Sequence, residues 1–68
     1  MRSNRDSMAL VVKDKDGYYY AGMNKWENQL RKAKFYSSNY YANEIVISSR
    51  FKSRHPYIVQ VRLIELSN

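Results

Sequence analysis

The chain contains no cysteine. Disulfides cannot staple it, and thiolate zinc sites are excluded. That usage suits a reducing compartment, so a cytoplasmic location is expected. Glycine occurs only at Gly17 and Gly22, and two glycines so placed build neither a Walker-type phosphate loop nor a dinucleotide fingerprint. Histidine occurs once, as His55, directly before the single proline, Pro56. It has no cysteine to pair with, and no serine sits in a Gly-x-Ser-x-Gly elbow. A solvated loop histidine is expected there, and no catalytic residue is assigned. Apolar runs stay short, as at Ala9–Val12, whereas a membrane-spanning helix needs about 20 apolar residues. Residues 1–7 (MRSNRDS) are polar and offer no apolar h-region, so no secretory signal is expected.

Acidic residues are also few, six in all and scattered. Asp14 and Asp16 share a fragment of a calcium-loop pattern with Gly17. Val12 would then hold the first ligand position and Met23 the bidentate one, so the match fails. Aspartate is favoured at turns, which is the assignment made here. No metal and no cofactor is called for.

What the chain does have is positive charge and tyrosine. Twelve Lys and Arg against six Asp and Glu give a formal net charge of +6 over 68 residues. That balance favours anionic partners, although small domains also carry such charge for solubility alone. Arg31, Lys32 and Lys34 form one cluster, and Arg50, Lys52 and Arg54 form another. If the two converge, they make a phosphate-tracking surface. The second cluster also suits a helix C-terminus, where cations complement the dipole. Seven of the ten aromatics are tyrosine. Tyr offers a flat apolar ring with a polar tip and works well half-buried or at interfaces. So many rings exceed what a core this small can hide. Tyr18, Tyr20, Trp26 and Tyr40 are the candidate aromatic binding residues.

The order of elements follows from local signals. Ala9–Lys13 and Tyr18–Ala21 are β-prone, and Asp16-Gly17 between them is a strong hairpin signal. Alternation puts Leu10 and Val12 on one face, and separates Tyr19 from Tyr18 and Tyr20. Residues 22–28 are expected to form a loop carrying Trp26 as a lid. Leu30 and Ala33 suit one helical turn, and Lys34–Ser37 suits a short third strand. Ser37-Ser38-Asn39 is a run of cap residues. Ala42, Ile45, Val46 and Ser49 follow at helical spacing, with Tyr40, Ile47 and Phe51 as a neighbouring stripe. These predict a helix over 38–50. Ile45-Val46-Ile47 would also suit a strand, and the cap with the Ala42 spacing decides for the helix. Residues 50–55 then form a basic loop, and the helix ends before His55 because Pro56 follows. In the last strand Tyr57, Val59, Val61 and Leu63 share one face, with Gln60 and Arg62 on the other. A bulge is expected near Leu63-Ile64, where the alternation breaks.

The expected fold is therefore α+β: an antiparallel sheet of three to four strands with one helix on one face, ββ(β)αβ. Residues 1–8 are assigned to a disordered arm or leader, and 9–68 to one domain. So small a domain is marginally stable, which keeps a homodimer in view.

The motif series Val11-Val12-Lys13…Asp16-Gly17-Tyr18-Tyr19, Trp26, Leu30-Arg31-Lys32-Ala33-Lys34-Phe35-Tyr36-Ser37, Ala42 and a closing strand resembles a group of small uncharacterised proteins of phages and prophages of Gram-positive bacteria. The resemblance spans residues 9–66. The Tyr-rich helix start and the basic 50–54 loop depart from the group. The resemblance implies a context, not a catalytic site: such proteins bind a host or anti-phage defence protein, a nucleoprotein complex or nucleic acid. Three roles follow as expectations: a non-enzymatic accessory protein that binds and modulates or inhibits such a target through a basic, Tyr-rich surface, a nucleic-acid-binding module, or a structural dimeric subunit.

Overall fold

The apolar run Ala9–Val12 becomes the middle of the sheet. A computed structural model describes residues 7–63, in which β1 spans Ser7–Lys13, β2 Tyr19–Gly22, β3 Lys25–Glu27, α1 Asn39–Val46 and β4 Tyr57–Leu63. The sheet is antiparallel in the order β3-β2-β1-β4, with α1 packed against it. This is the expected α+β fold. Ser7 and Met8 already belong to β1, so the strand starts inside the stretch assigned to an arm; the rest of that stretch lies outside the described residues.

Val11 and Val12 are adjacent, point to opposite faces, and are both 0% exposed. Val12 joins Tyr20, Tyr36, Ala42 and Phe51 in the core beneath α1, flanked by Leu10, Trp26, Ile45, Val46 and Ile58. Val11 and Ala9 are buried outside that cluster. β1 is thus a two-sided strand, which is why it reads as a continuous apolar run.

β4 pairs with β1 in unbroken register from Ser7↔Leu63 to Lys13↔Tyr57. The expected bulge at Leu63-Ile64 reaches outside the described residues. β2 pairs with β1 beside the hairpin, at Lys13↔Tyr19. The Lys34–Tyr36 segment then bonds to both strands. The Lys34 N–H donates to the Tyr20 carbonyl at 2.8 Å, and Tyr36 exchanges two 2.8 Å backbone bonds with Leu10. The third strand expected at Lys34–Ser37 is therefore only the bridge Leu10↔Tyr36.

The loop expected at 22–28 is instead a second hairpin that carries Trp26 in β3. Met23 and Asn24 both take positive φ, 52° and 62°, as a two-residue type I′ turn requires. The register slips between Tyr20 and Gly22, which makes a bulge with Gly22 at φ 92°.

Leu30–Lys32 forms the expected single turn, as a 3₁₀ helix. The Ser38 hydroxyl caps α1 by accepting the Tyr40 N–H at 3.1 Å. The helix ends at Val46, short of Arg50, because Ser48 restarts the chain. Its hydroxyl accepts the Arg50 N–H at 3.2 Å and opens a 3₁₀ segment, Ser49–Arg54. That restart carries Phe51 into the core. Tyr40 and Ile47, expected to share its stripe, stay exposed.

The first hairpin is closed by Asp14, which is 1% exposed. The Gly17 N–H donates to the Asp14 carbonyl and the Asp14 N–H to the Tyr18 carbonyl, with Gly17 at φ 88°. This is a three-residue loop with a glycine bulge. One carboxylate oxygen accepts the N–H groups of Asp16 and Tyr18, each at 2.9 Å, and the other accepts Arg54 Nη1 at 2.8 Å. Burial alone would push the Asp14 carboxyl up, but the Tyr18 N–H, Arg54 and the Asp16 N–H outweigh it and hold its pKa below the ordinary value.

Two predictions follow. A Cβ added at Gly17 meets nothing within 4 Å, so Gly17→Ala tests backbone strain alone; a loss of about 1–2 kcal/mol is expected from the urea midpoint. For Asp14 the folded pKa lies below the unfolded one. Its stabilisation is therefore complete above about pH 4 and is lost as pH falls through the folded value. Asp14→Asn should cost about 2–4 kcal/mol at neutral pH and flatten the acid decline. Parallel acid profiles for parent and variant would contradict this role.

Candidate functional site

The six basic candidates divide once their surroundings are known. Arg31 and Lys32 are exposed on the first 3₁₀ turn. Lys34 is exposed and holds its ammonium 5.6 Å from the Tyr36 ring centroid. Arg50 is exposed, and its Nη1 donates to Asn24 Oδ1 at 2.9 Å. Lys52 is exposed as well. Arg54 is half-buried and tied to the fold. It bonds Asp14, and its guanidinium lies 4.6 Å from the Trp26 ring centroid. Its charge is already compensated by Asp14, so Arg54 is a structural residue first, although its side chain keeps 41% of its surface exposed.

The aromatic candidates divide the same way. Tyr20 is buried, and its hydroxyl accepts the Asn24 N–H at 3.3 Å. Trp26 packs edge-on to Tyr20 and Phe51, with ring centroids 5.2 and 5.3 Å apart. Its indole N–H is buried and has no hydrogen-bond partner among the described residues. Tyr20 is therefore a core residue, and Trp26 a half-buried one packed against that core. Tyr18 and Tyr40 are exposed, together with Tyr41 and Tyr57, so four of the seven tyrosines face solvent. Tyr40 and Tyr41 meet edge-to-face with centroids 5.0 Å apart.

One residue of each basic cluster reaches the β2–β3 turn. Lys34 reaches it beside Gly22, where an added Cβ would lie 3.7 Å from its Cδ. Arg50 reaches it through Asn24. Between this turn and α1 lies a groove of about 530 Å³. Tyr20 and Tyr36 line it, with Met23 from the turn, Tyr41 and Ile45 from the helix, and Lys34 and Glu44 as its charged groups. Met23 is 89% exposed and Tyr41 59%. Burial, helped by the nearby Tyr20 and Glu44, pushes the Tyr36 pKa up from its ordinary value. An apolar groove with Met and Tyr at its mouth and a cation on either side of its turn suits a partner with apolar side chains and acidic neighbours.

Met23, Tyr41, Glu44 and Ile45 were not among the sequence candidates. Met23 had one usable signal, its place between Gly22 and Asn24, two residue types that accept positive φ.

A second cleft of about 460 Å³ is lined by Ile47, Ser49, Lys52 and His55 among others. His55 has left-handed backbone, φ 51° and ψ 58°, where the chain turns into β4. Among the described residues no group of three or more His, Cys, Asp or Glu is placed to hold a metal ion. Nor, among them, is any helix long and apolar enough to cross a membrane. Searches of family models, curated proteins and solved structures find no match to this chain.

The different fates of the cations can be measured. Arg54→Ala should destabilise the fold by about 1–3 kcal/mol, because it leaves the buried Asp14 carboxylate without its counter-charge. Lys52→Ala should stay within about 0.5 kcal/mol of the parent. Equal urea midpoints for the two variants would restore Arg54 to the surface patch.

Proposed function

We propose that this chain is a small non-enzymatic accessory protein of the phage or prophage kind. It binds a host or anti-phage defence protein in the cytoplasm through the groove between α1 and the β2–β3 turn, and inhibits it by occupying that surface. The observation that carries this proposal is the placement of Met23 and Tyr41, both largely exposed, at a groove whose turn is flanked by Lys34 and Arg50. Tyr and Arg are the usual anchors of protein interfaces, and Met adapts its shape to a partner. The net charge of +6 adds long-range attraction toward an acidic target. A basic surface that normally takes nucleic-acid phosphates would repel this charge, so an acidic protein surface studded with apolar side chains is the better fit.

The convergence of Lys34 and Arg50 beside exposed Tyr41 also favours a second use, the binding of single-stranded nucleic acid. The cations would meet phosphates and the rings would stack on bases.

Both are tested with the folded protein and two variants, Met23→Asp and Tyr41→Ala, in affinity capture from the host lysate. A protein captured by the parent and weakened about 30-fold or more by either variant is expected, the size of a truncated hot spot. Capture that is indifferent to both variants would count against the groove. The nucleic-acid use predicts that affinity for an oligonucleotide falls steeply between about 50 and 200 mM salt; a flat profile removes it.

A further inference from the structure

The two edges of the sheet are unlike. β3 has three residues and follows the bulge between Tyr20 and Gly22, so that edge is short and distorted. Short, bulged edges resist pairing with other chains. β4 has seven residues in unbroken register with β1, and among the described residues no strand pairs with its outer side. Its backbone therefore offers a long, regular row of donors and acceptors. Apart from Arg62 its described side chains carry no charge that would repel another strand.

The faces of β4 are sorted. Val59 pairs with Val11 and Val61 with Ala9, two β1 residues that are buried. Val59 and Val61 themselves remain partly exposed at the edge. Ile58, Gln60 and Arg62 alternate onto the other face.

We propose that β4 pairs antiparallel with β4 of a second copy of this chain, about a two-fold axis at Gln60. Centring the axis at Gln60 is the choice that engages all seven residues of the strand. It sets Val59 against the partner's Val61 twice over, joining the dry strips of the two sheets. It sets Gln60 against the partner's Gln60, and Ile58 against the partner's Arg62, so the two Arg62 side chains do not oppose each other. An antiparallel pair of identical strands is self-complementary, as a two-fold interface requires. The union makes one continuous sheet of eight strands from two of four. It lies at the edge opposite β3 and does not rest on the groove proposed above.

Sedimentation over about 10 µM to 1 mM should show the mass rising from 8.1 kDa toward twice that value. Val59→Lys and Val61→Glu, each alone, should stay monomeric with unchanged circular dichroism. Mixing them should restore dimers, because one variant's lysine then faces the other's glutamate across the axis. Should either variant fail to fold, Gln60→Cys gives an independent measurement in a chain that has no cysteine. Directly opposed residues of an antiparallel pair lie about 4.5–5.5 Å apart at Cα, within disulfide reach. Oxidative dimerisation should run at least about tenfold faster than for Lys52→Cys, a rate gain of the kind effective concentration provides. A parent that stays at 8.1 kDa throughout, with equal crosslinking rates for the two cysteine variants, overturns the proposal and leaves the β4 edge to an extended segment of another protein. Dimers unaffected by Val59→Lys and Val61→Glu, or monomers that mixing does not rescue, overturn the Gln60-centred register.

Discussion

Asp14 is the one buried charged side chain among the described residues, and the rest of the structure is arranged around its carboxylate. Taking a carboxylate out of water costs several kcal/mol unless its lone pairs are satisfied. Here two backbone N–H groups of its own turn and one guanidinium offset that cost. The first two bonds fix the shape of the β1–β2 hairpin. The third reaches forty residues along the chain to Arg54 and pins the 3₁₀ segment against the hairpin. A backbone bond from the Lys15 N–H to the Arg54 carbonyl, at 3.0 Å, reinforces the same junction. Arg54 then lies over Trp26, and Trp26 meets Tyr20 and Phe51. Charge, cation and aromatic cluster form one continuous contact from the turn into the core.

The groove is a product of how the sheet opens. β2 pairs with β1 next to the hairpin, and the Lys34–Tyr36 segment bonds both strands farther along. That segment brings Tyr36 into the core and leaves Lys34 above it, beside Gly22. The β2–β3 turn is held from within by the Tyr20 hydroxyl and from outside by Arg50, both acting on Asn24. A turn tied at two points presents Met23 in a settled position, which lowers the ordering cost of binding a partner.

Several of these features are legible in the residues. Asp16-Gly17 announces the first hairpin because glycine accepts positive φ without strain. Ser38 announces the start of α1 because its hydroxyl can take a free N–H of the first turn. The surplus of tyrosine announces exposed rings, and four are exposed. The second hairpin is not legible in the same way. Met23-Asn24 lacks the Asn-Gly or Asp-Gly signature of its turn type, so Trp26 passes for a loop residue when it is the anchor of β3. The end of α1 is also hidden, since Ala42, Ile45, Val46 and Ser49 keep helical spacing beyond the point where Ser48 caps a new segment. Of the candidate site, Lys34, Arg50 and the exposed tyrosines are in reach of pattern alone. Tyr20 is buried, with Trp26 and Arg54 tied into the packing around it, and no local pattern separates them from their exposed neighbours.

Residue order alone establishes the α+β class, the first hairpin, the capped helix and the closing strand. It does so because hydrophobic period, cap chemistry and glycine's freedom act over a few residues. Which arginine is free and which tyrosine is buried depends on segments far apart in the chain. Arg54 and Lys52 carry like charge on the same stretch, and only the nearness of Asp14 and Trp26 separates them. A side chain's neighbours across such distances are set by packing of the whole fold, where one buried carboxylate chooses its single counter-ion.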